Sequence, residues 1–185
     1  MSEIMTSLRL LAFSLIVCSV AYPTVMLGFA RVTAFEKAQG SLIRNEQGTI
    51  VGSRLLAQNF TRPEYFWPRP SAVDYNASAT GGSNLSPTNP KLTEKAREII
   101  ERFKPAADQR VPADLVSASG SGMDPHISLS AALFQVPRVA TARQLTADRV
   151  QEFVNQHIDS PTLAAFGGEP IVNVLELNLA LDRAK

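Results

Sequence analysis

The sequence predicts an α+β protein: one N-terminal transmembrane helix followed by a single mixed α/β soluble domain. Residues 10–30 carry no charged side chain and lie between Arg9 and Arg31. A helix of these 21 residues would span about 30 Å, the thickness of the hydrocarbon core of a bilayer. Residues 31–185 contain no second run of this kind and are long enough to bury one core. The chain therefore divides into a short tail (1–9), a membrane helix and a soluble domain.

The apolar segment is predicted to be a retained anchor, because it is longer than the roughly 7–15 apolar residues of a cleaved signal peptide. Pro23 lies inside it, where a missing N–H and a bulky ring favour a kink. Small polar residues that would let a second helix approach occur at Ser14, Ser19 and Thr24. The segment leaves open whether the helix packs on a partner or lies alone in membrane lipid.

The charges near the helix weakly favour a cytoplasmic soluble domain. Arg31, Lys37 and Arg44 follow the helix, whereas Arg9 alone precedes it. Lys and Arg near the ends of a span tend to remain in the cytoplasm. Over the whole chain 18 basic residues face 17 acidic ones, so no attraction for nucleic acid is predicted.

Residues 31–48 are predicted to continue as a helix that ends in a turn at 45–48. Residues 49–60 are apolar enough to enter the core, with Leu55, Leu56 and Phe60 as anchors.

The segment 61–90 is rich in proline and lacks the periodicity of a helix or a strand. Irregular segments of this length are typically functional or packed through their own side chains. Its four aromatic residues would be costly to leave in water, so we expect the segment to lie on another surface. They are Tyr65, Phe66, Trp67 and Tyr75.

The clearest helix begins at Pro90 with Asn89 as its N-cap, and Pro105 ends it. Glu98 and Arg102 are spaced to form an i,i+4 pair on its outer side. Its predicted apolar face consists of Leu92, Ala96, Ile99, Ile100 and Phe103. Residues 111–116 are expected to be a short strand or an extended entry, and 117–122 a flexible run of small residues.

Two further helices and one ambiguous element follow. Residues 128–143 predict a helix that Pro137 bends, and Thr146 is placed to cap a third helix. The apolar face of that third helix is Val150, Phe153, Val154 and Ile158. Residues 171–182 begin as a strand, but their alternating leucines suit a strand while their composition suits a helix, so both remain open.

The run Asp124-Pro125-His126 lies near several serines and supplies the residue types of a hydrolase triad. No Gly-x-Ser-x-Gly motif accompanies it, so we prefer a turn in which Asp124 bonds to the backbone and Ser128 caps the next helix. An anchored hydrolase that uses Ser119 or Ser121 is the alternative. With two histidines, and the only cysteine inside the membrane segment, no metal site and no catalytic residue are predicted.

The run Thr80-Gly81-Gly82-Ser83-Asn84 is a weak candidate for nucleotide binding. Successive N–H groups of a Gly-rich turn can hold phosphate. The run lacks the Lys-Ser or Lys-Thr pair of a Walker motif and does not open a helix. A plain tight turn is therefore the preferred interpretation.

Several short sequence segments of this chain match segments of one known family and occur in the same order. They include residues 65–72, 75–76, 81–85, 111–116, 118–128, 138–143 and 168–175. The chain resembles the C subunit of the Kdp-type potassium-transporting ATPase in these segments, in the order of the segments and in total length. Ser86 and Gln144 stand where the family pattern has glycine, which puts only the local turn shape in doubt.

The resemblance implies a bacterial inner-membrane complex in which a channel-like subunit binds potassium and a P-type ATPase subunit hydrolyses ATP. This chain would be the non-catalytic third subunit, which assembles and supports the other two and raises the ATP affinity of the ATPase subunit. ATP and K⁺ would be handled by the complex, and this chain would need no cofactor of its own. In the family the Gly81–Ser83 turn has been likened to the signature loop of ATP-binding-cassette proteins.

The resemblance also implies a cytoplasmic N-terminus and a periplasmic soluble domain, against the charge count. Because ATP is not available there, an effect on ATP affinity would be indirect; a cytoplasmic domain that contacts nucleotide is the alternative. Our expected interface with the channel-like subunit consists of Pro23 in the membrane and Tyr65, Phe66, Trp67 and Arg69 on its outer face.

Overall fold

The computed structural model describes residues 2–45, 47–106, 108–120, 122–160 and 168–184. They belong to two compact units, Met1–Ser53 and Arg54–Lys185. The predicted class is confirmed, since one N-terminal apolar helix is followed by a mixed α/β domain with small sheets. Ser121 of the hydrolase hypothesis and Glu46 of the predicted turn lie outside the described residues.

The first unit begins with a continuous helix that is long and apolar enough, from Glu3 to Thr33, to cross a membrane once. It consists of α1 (Ser2–Ile16), a π-helical segment (Val17–Ala21) and α2 (Tyr22–Thr33). Pro23 is the second residue of α2, two positions after the end of the π-helical segment. Because proline has no N–H and its ring crowds the carbonyl four residues earlier, the irregular hydrogen bonding falls in the turn before it.

Residues 34–53 differ from the predicted helix. A one-turn helix is followed by an antiparallel hairpin, because Gly40 and Ser41 both adopt positive φ angles, 85° and 50°, that end the helix. Asn45 Oδ1 accepts a hydrogen bond from Thr49 N, so the turn predicted at 45–48 closes a hairpin. The elements are α3 (Phe35–Ala38), β1 (Leu42–Arg44) and β2 (Ile50–Ser53).

The second unit packs helices against a three-stranded antiparallel sheet. Its elements are α4 (Pro90–Phe103), α5 (Ala113–Val116), β3 (His126–Ser128), α6 (Leu129–Arg143), α7 (Ala147–Gln156), β4 (Ile158–Asp159), β5 (Ile171–Asn173) and α8 (Val174–Arg183). The strands lie in the order β3-β5-β4. The buried core is made of apolar side chains from α6, α7, α8 and β5, together with Phe66, Leu115 and Ile127.

The predicted helix starts are confirmed by their capping hydrogen bonds. Asn89 accepts from Lys91 N, Ser128 from Ala131 N and Thr146 from Arg149 N. Pro137 lies inside α6 as predicted. These side chains satisfy N–H groups that the first turn of a helix leaves free.

Four further local predictions are wrong. Residues 113–116 form the short helix α5 instead of a strand or an extended entry. Ile158 lies in β4 and not on the third helix, which ends at Gln156. Leu55 is exposed and Ala57 supplies the buried contact in its place. Arg102 stacks on an aromatic ring instead of pairing with Glu98. The ambiguous stretch 171–182 is divided between β5 and α8, and Asn173 at the junction caps the helix.

Candidate functional site

The aromatic–proline segment, residues 61–76, is anchored on α6 and α8 by two buried amide side chains. Asn178 on α8 accepts from Phe66 N at 2.8 Å and donates to Phe66 O at 3.0 Å. Gln135 on α6 accepts from Trp67 N at 2.8 Å and donates to Trp67 O at 3.1 Å. Both amides are 1% exposed. Each therefore bonds an extended residue as a neighbouring β-strand would, and leaves no polar backbone group of Phe66 or Trp67 unpaired.

The Trp67 ring lies between two guanidinium groups. The central carbon of Arg102 is 4.1 Å from the ring centroid and that of Arg138 is 3.9 Å away. Indole Nε1 donates to Arg62 O at 2.9 Å, so the polar atom of the ring is also satisfied. Trp67 thus contributes a nearly buried aromatic face that attracts two cations.

Arg138 fixes the segment through its backbone. It donates to Pro63 O at 2.6 Å, to Tyr65 O at 3.0 Å and to Gln135 Oε1 at 2.6 Å. Burial and, to a smaller extent, the nearby positive charge of Arg102 lower the pKa of Arg138 to about 10. At neutral pH the guanidinium therefore remains charged and retains all its donors.

Arg143 has a similar role at the other end of α6. Its side chain is 1% exposed. It donates to Glu64 O at 2.7 Å, to Leu181 O at 2.9 Å and to Asp182 Oδ1 at 2.8 Å. Tyr65 OH donates to the same carboxylate at 3.0 Å. Burial raises the pKa of Tyr65, and the Asp182 carboxylate raises it further, so the phenol stays a donor.

Asp124 holds the next part of the segment. Its Oδ2 accepts from Arg69 Nη1 at 2.8 Å and from Ser119 Oγ at 3.3 Å. Its Oδ1 accepts from His126 N at 3.4 Å, which is the predicted turn. In a hydrolase triad the histidine stands between serine and aspartate, whereas here Ser119 bonds to Asp124 directly. The geometry supports the turn and disfavours a hydrolase that uses Ser119.

Tyr75 continues this cluster, because its OH donates to Arg69 O at 3.0 Å. Burial raises the pKa of Tyr75, and the nearby charge of Arg102 partly opposes that effect.

The Gly81–Asn84 run is hydrogen-bonded to the part of the chain that precedes Asp124. Gly81 N donates to Gly120 O at 2.7 Å, and Asn84 adopts a φ of 51°. One amide of the predicted phosphate nest is therefore already used within the protein. Gly122 approaches the backbone at Asn76 so closely that an added Cβ would lie 2.5 Å from Asn76 O. Ser119, Gly120 and Gly122 thus act as a close-packed support for residues 71–81.

A family model, the c chain of K⁺-transporting ATPases (KdpC), matches residues 4–183. The chain belongs to the KdpC family. Three bacterial relatives bear the name potassium-transporting ATPase KdpC subunit. The one from Parvibaculum lavamentivorans is 45% identical over 100% of this chain and 98% of its own length. That from Gloeobacter violaceus is 44% identical over 98% and 96%, and that from Ralstonia nicotianae 48% identical over 92% and 85%.

The structure brings four of the predicted interface residues of this KdpC-family chain together, but gives them internal partners. Phe66 is fully buried and Trp67 is 8% exposed, so both belong to the domain's own core. Tyr65 and Arg69 are half-buried and bonded to Asp182 and Asp124. Pro23 lies in the first unit and is exposed.

Sequence reasoning missed the residues that hold the segment. Gln135, Arg138 and Asn178 all lie on helices whose neighbouring positions are apolar. Two uncharged amides at core spacing, Gln135 between Ala131 and Val139 and Asn178 between Val174 and Leu181, were the available signal.

Proposed function

We propose that this chain is the non-catalytic, single-span subunit of an ATP-driven, high-affinity potassium uptake complex. It assembles and stabilises a channel-like potassium-binding subunit and a P-type ATPase subunit. The observation that carries this proposal is the family match over residues 4–183, together with relatives that are named as subunits of a potassium-transporting ATPase. The N-terminal helix supports membrane attachment.

The proposed location is the bacterial inner membrane, with a cytoplasmic N-terminus and a periplasmic second unit. Three cations after the helix oppose this orientation, but the effect of each is modest and packing on partner subunits can outweigh it. The second unit contains no cysteine and therefore depends on no reduced thiol. A cysteine placed at the exposed Lys95 in a Cys18→Ser chain tests the orientation. Labelling of intact cells by a membrane-impermeant maleimide is expected, and protection until lysis would contradict it.

The membrane helix is the proposed contact with the channel-like subunit. The apolar part of this helix is not buried within the chain. The π-helical segment before Pro23 gives the helix a local shape that a partner helix can match. Beyond its chain neighbours and its own helix backbone, Gly28 has no atom within 4 Å of an added Cβ, so the position is open where a side chain would start. Gly28→Leu therefore probes an external contact without disturbing an internal one.

Any effect on ATP affinity is proposed to be indirect, through coupled conformations of the complex. The engaged amide of Gly81 supports this over direct nucleotide contact. A photoreactive ATP analogue is expected to label the P-type ATPase subunit alone. Labelling of this chain that is lost when Gly82 and Ser83 are replaced by bulky residues would establish the direct alternative.

Affinity purification from cells that express all three subunits tests the assembly role. A tag on this chain is expected to recover a channel-like protein and a P-type ATPase in detergent. Recovery of this chain as a lone monomer would refute the proposal. Gly28→Leu should lower the recovery of partners while the yield of this chain is unchanged, and Val25→Leu, a small change at an exposed position of the same helix, is the matched control.

A further inference from the structure

The part of the first unit after the apolar helix exposes large apolar side chains. Phe35 on α3 is 57% exposed, Leu42 on β1 is 43% exposed and Ile50 on β2 is 50% exposed. A two-stranded hairpin is at best marginally stable in water unless it packs on another surface. Strands of three and four residues make that need greater.

Two of these side chains share one face of the hairpin with a cation. Arg44 is paired with Ile50 across an irregularity in the register between Ile43 and Arg44. Leu42 lies two residues before Arg44 on the same strand, and all three side chains are exposed. Paired residues, and residues two apart along a strand, point to the same side of a sheet. Leu42, Arg44 and Ile50 therefore form one face, which is apolar with a positive charge at its edge.

The surrounding charge fits an anionic surface. Arg31, Lys37 and Arg44 lie within this region of the sequence, against Glu36 and Glu46, so the excess is positive. Lys and Arg reach from an apolar surface to polar groups through their long aliphatic stems. Aromatic and aliphatic side chains bordered by Lys and Arg are typical of protein surfaces at the level of lipid headgroups.

The position of the hairpin limits how far it lies from the bilayer. The candidate span ends at Thr33, α3 accounts for residues 35–38, and β1 begins at Leu42. The single turn of α3 adds about 6 Å, and the four residues outside it, Ala34 and residues 39–41, would add at most about 14 Å even if fully extended. The hairpin therefore begins within about 20 Å of the end of the span.

We propose that α3 and the β1–β2 hairpin lie in the interfacial layer of the membrane. Phe35, Leu42 and Ile50 contact the upper acyl chains, while Lys37 and Arg44 contact lipid phosphates. The occupant of the apolar face is lipid, because the face is tethered next to the span and carries the charge that suits anionic headgroups.

Spin labels on the full-length chain test this arrangement. Single cysteines are placed at Leu42 and Ile50 in a Cys18→Ser background and labelled with a nitroxide. The protein is reconstituted in phosphatidylcholine vesicles with and without phosphatidylglycerol. Accessibility to oxygen, which concentrates in the bilayer, is compared with accessibility to a polar nickel chelate. Glu94→Cys on the exposed side of α4 is the matched control, and Trp67 fluorescence checks that each variant is folded.

The oxygen-to-nickel ratio is expected to be several-fold higher at residues 42 and 50 than at residue 94. Phosphatidylglycerol should raise it further, and Lys37→Gln should reduce that increase. High accessibility to both reagents would place the face in water and overturn the proposal. Low accessibility to both would show that protein covers the face and would also overturn it.

Discussion

Replacement of Asn178 by leucine should strongly destabilise the second unit, because this amide is the only observed partner of both polar backbone groups of Phe66 among the contacts of the described residues. Leucine has a similar volume and fits an apolar core. The expected damage therefore comes from lost hydrogen bonds and only slightly from packing.

The magnitude follows from the burial of the site. Asn178 is 1% exposed and Phe66 is fully buried, so water has no direct access to the freed N–H and C=O. A buried backbone group left unpaired costs about 1–3 kcal/mol. Two such groups give about 2–6 kcal/mol, and removal of a buried polar side chain offsets part of this. We expect a loss of about 2–5 kcal/mol in the free energy of unfolding.

The single tryptophan of the chain makes the measurement direct, because Trp67 is the neighbour of Phe66. Urea unfolding of the full chain in detergent, followed by Trp67 fluorescence, gives the free energy of unfolding. Asn155→Leu makes the same chemical change at an exposed position of α7 and is expected to stay within about 0.5 kcal/mol of wild type. If Asn178→Leu also stays within that range, the two-bond anchor does not contribute as argued.

Three further outcomes are expected from the same structure. Arg143→Met should cost about 2–4 kcal/mol in urea unfolding, because it leaves buried carbonyls unpaired; Asp182→Asn, at a partly exposed partner, should cost less than about 1 kcal/mol. Gly122→Ala should lower the thermal unfolding temperature, because the added Cβ would lie 2.5 Å from a backbone oxygen. Gly82→Ala, whose added Cβ has its nearest contact at 3.8 Å, should be tolerated. Equal effects of the two substitutions would refute the close approach. The raised pKa of Tyr75 means that its contribution to stability is complete below the ordinary value of 10.0 and is lost as pH rises through the folded value. Tyr75→Phe should therefore reduce the loss of stability above pH 10.0, measured by urea unfolding against pH, and an unchanged alkaline slope would contradict the shift.

The helix starts were predictable because their causes are local. Asn89, Ser128 and Thr146 each bond to an N–H two or three residues later, so the capping chemistry is contained in a few consecutive residues. The turn at Asp124 was predictable for the same reason, since the carboxylate bonds to a backbone group two residues ahead. The order of family phrases then supplied the family, which no single motif established.

The errors arose where the outcome depends on distant contacts. Residues 41–53 have no strong period, and their strands exist only by pairing with each other across a turn. Residues 113–116 are as apolar as a strand, yet Leu115 enters the core from a single helical turn. In both cases a competing element outweighed the local pattern. The stretch 171–182, for which a strand and a helix were both open, is resolved locally, because Asn173 caps a helix that begins at Val174.

The aromatic–proline segment shows that burial of aromatic side chains against the same chain and burial against a partner subunit cannot be distinguished in the sequence. Tyr65, Phe66 and Trp67 would require cover in either case, so composition cannot separate the two. The difference lies in distant polar residues: an amide within an apolar helix face has no reason to be buried unless it pairs with backbone brought to it. Gln135 and Asn178 do this for the segment. If the segment forms the interface that the sequence predicts, loss of an anchor should weaken assembly through the shape of the domain even where the replaced residue touches no partner.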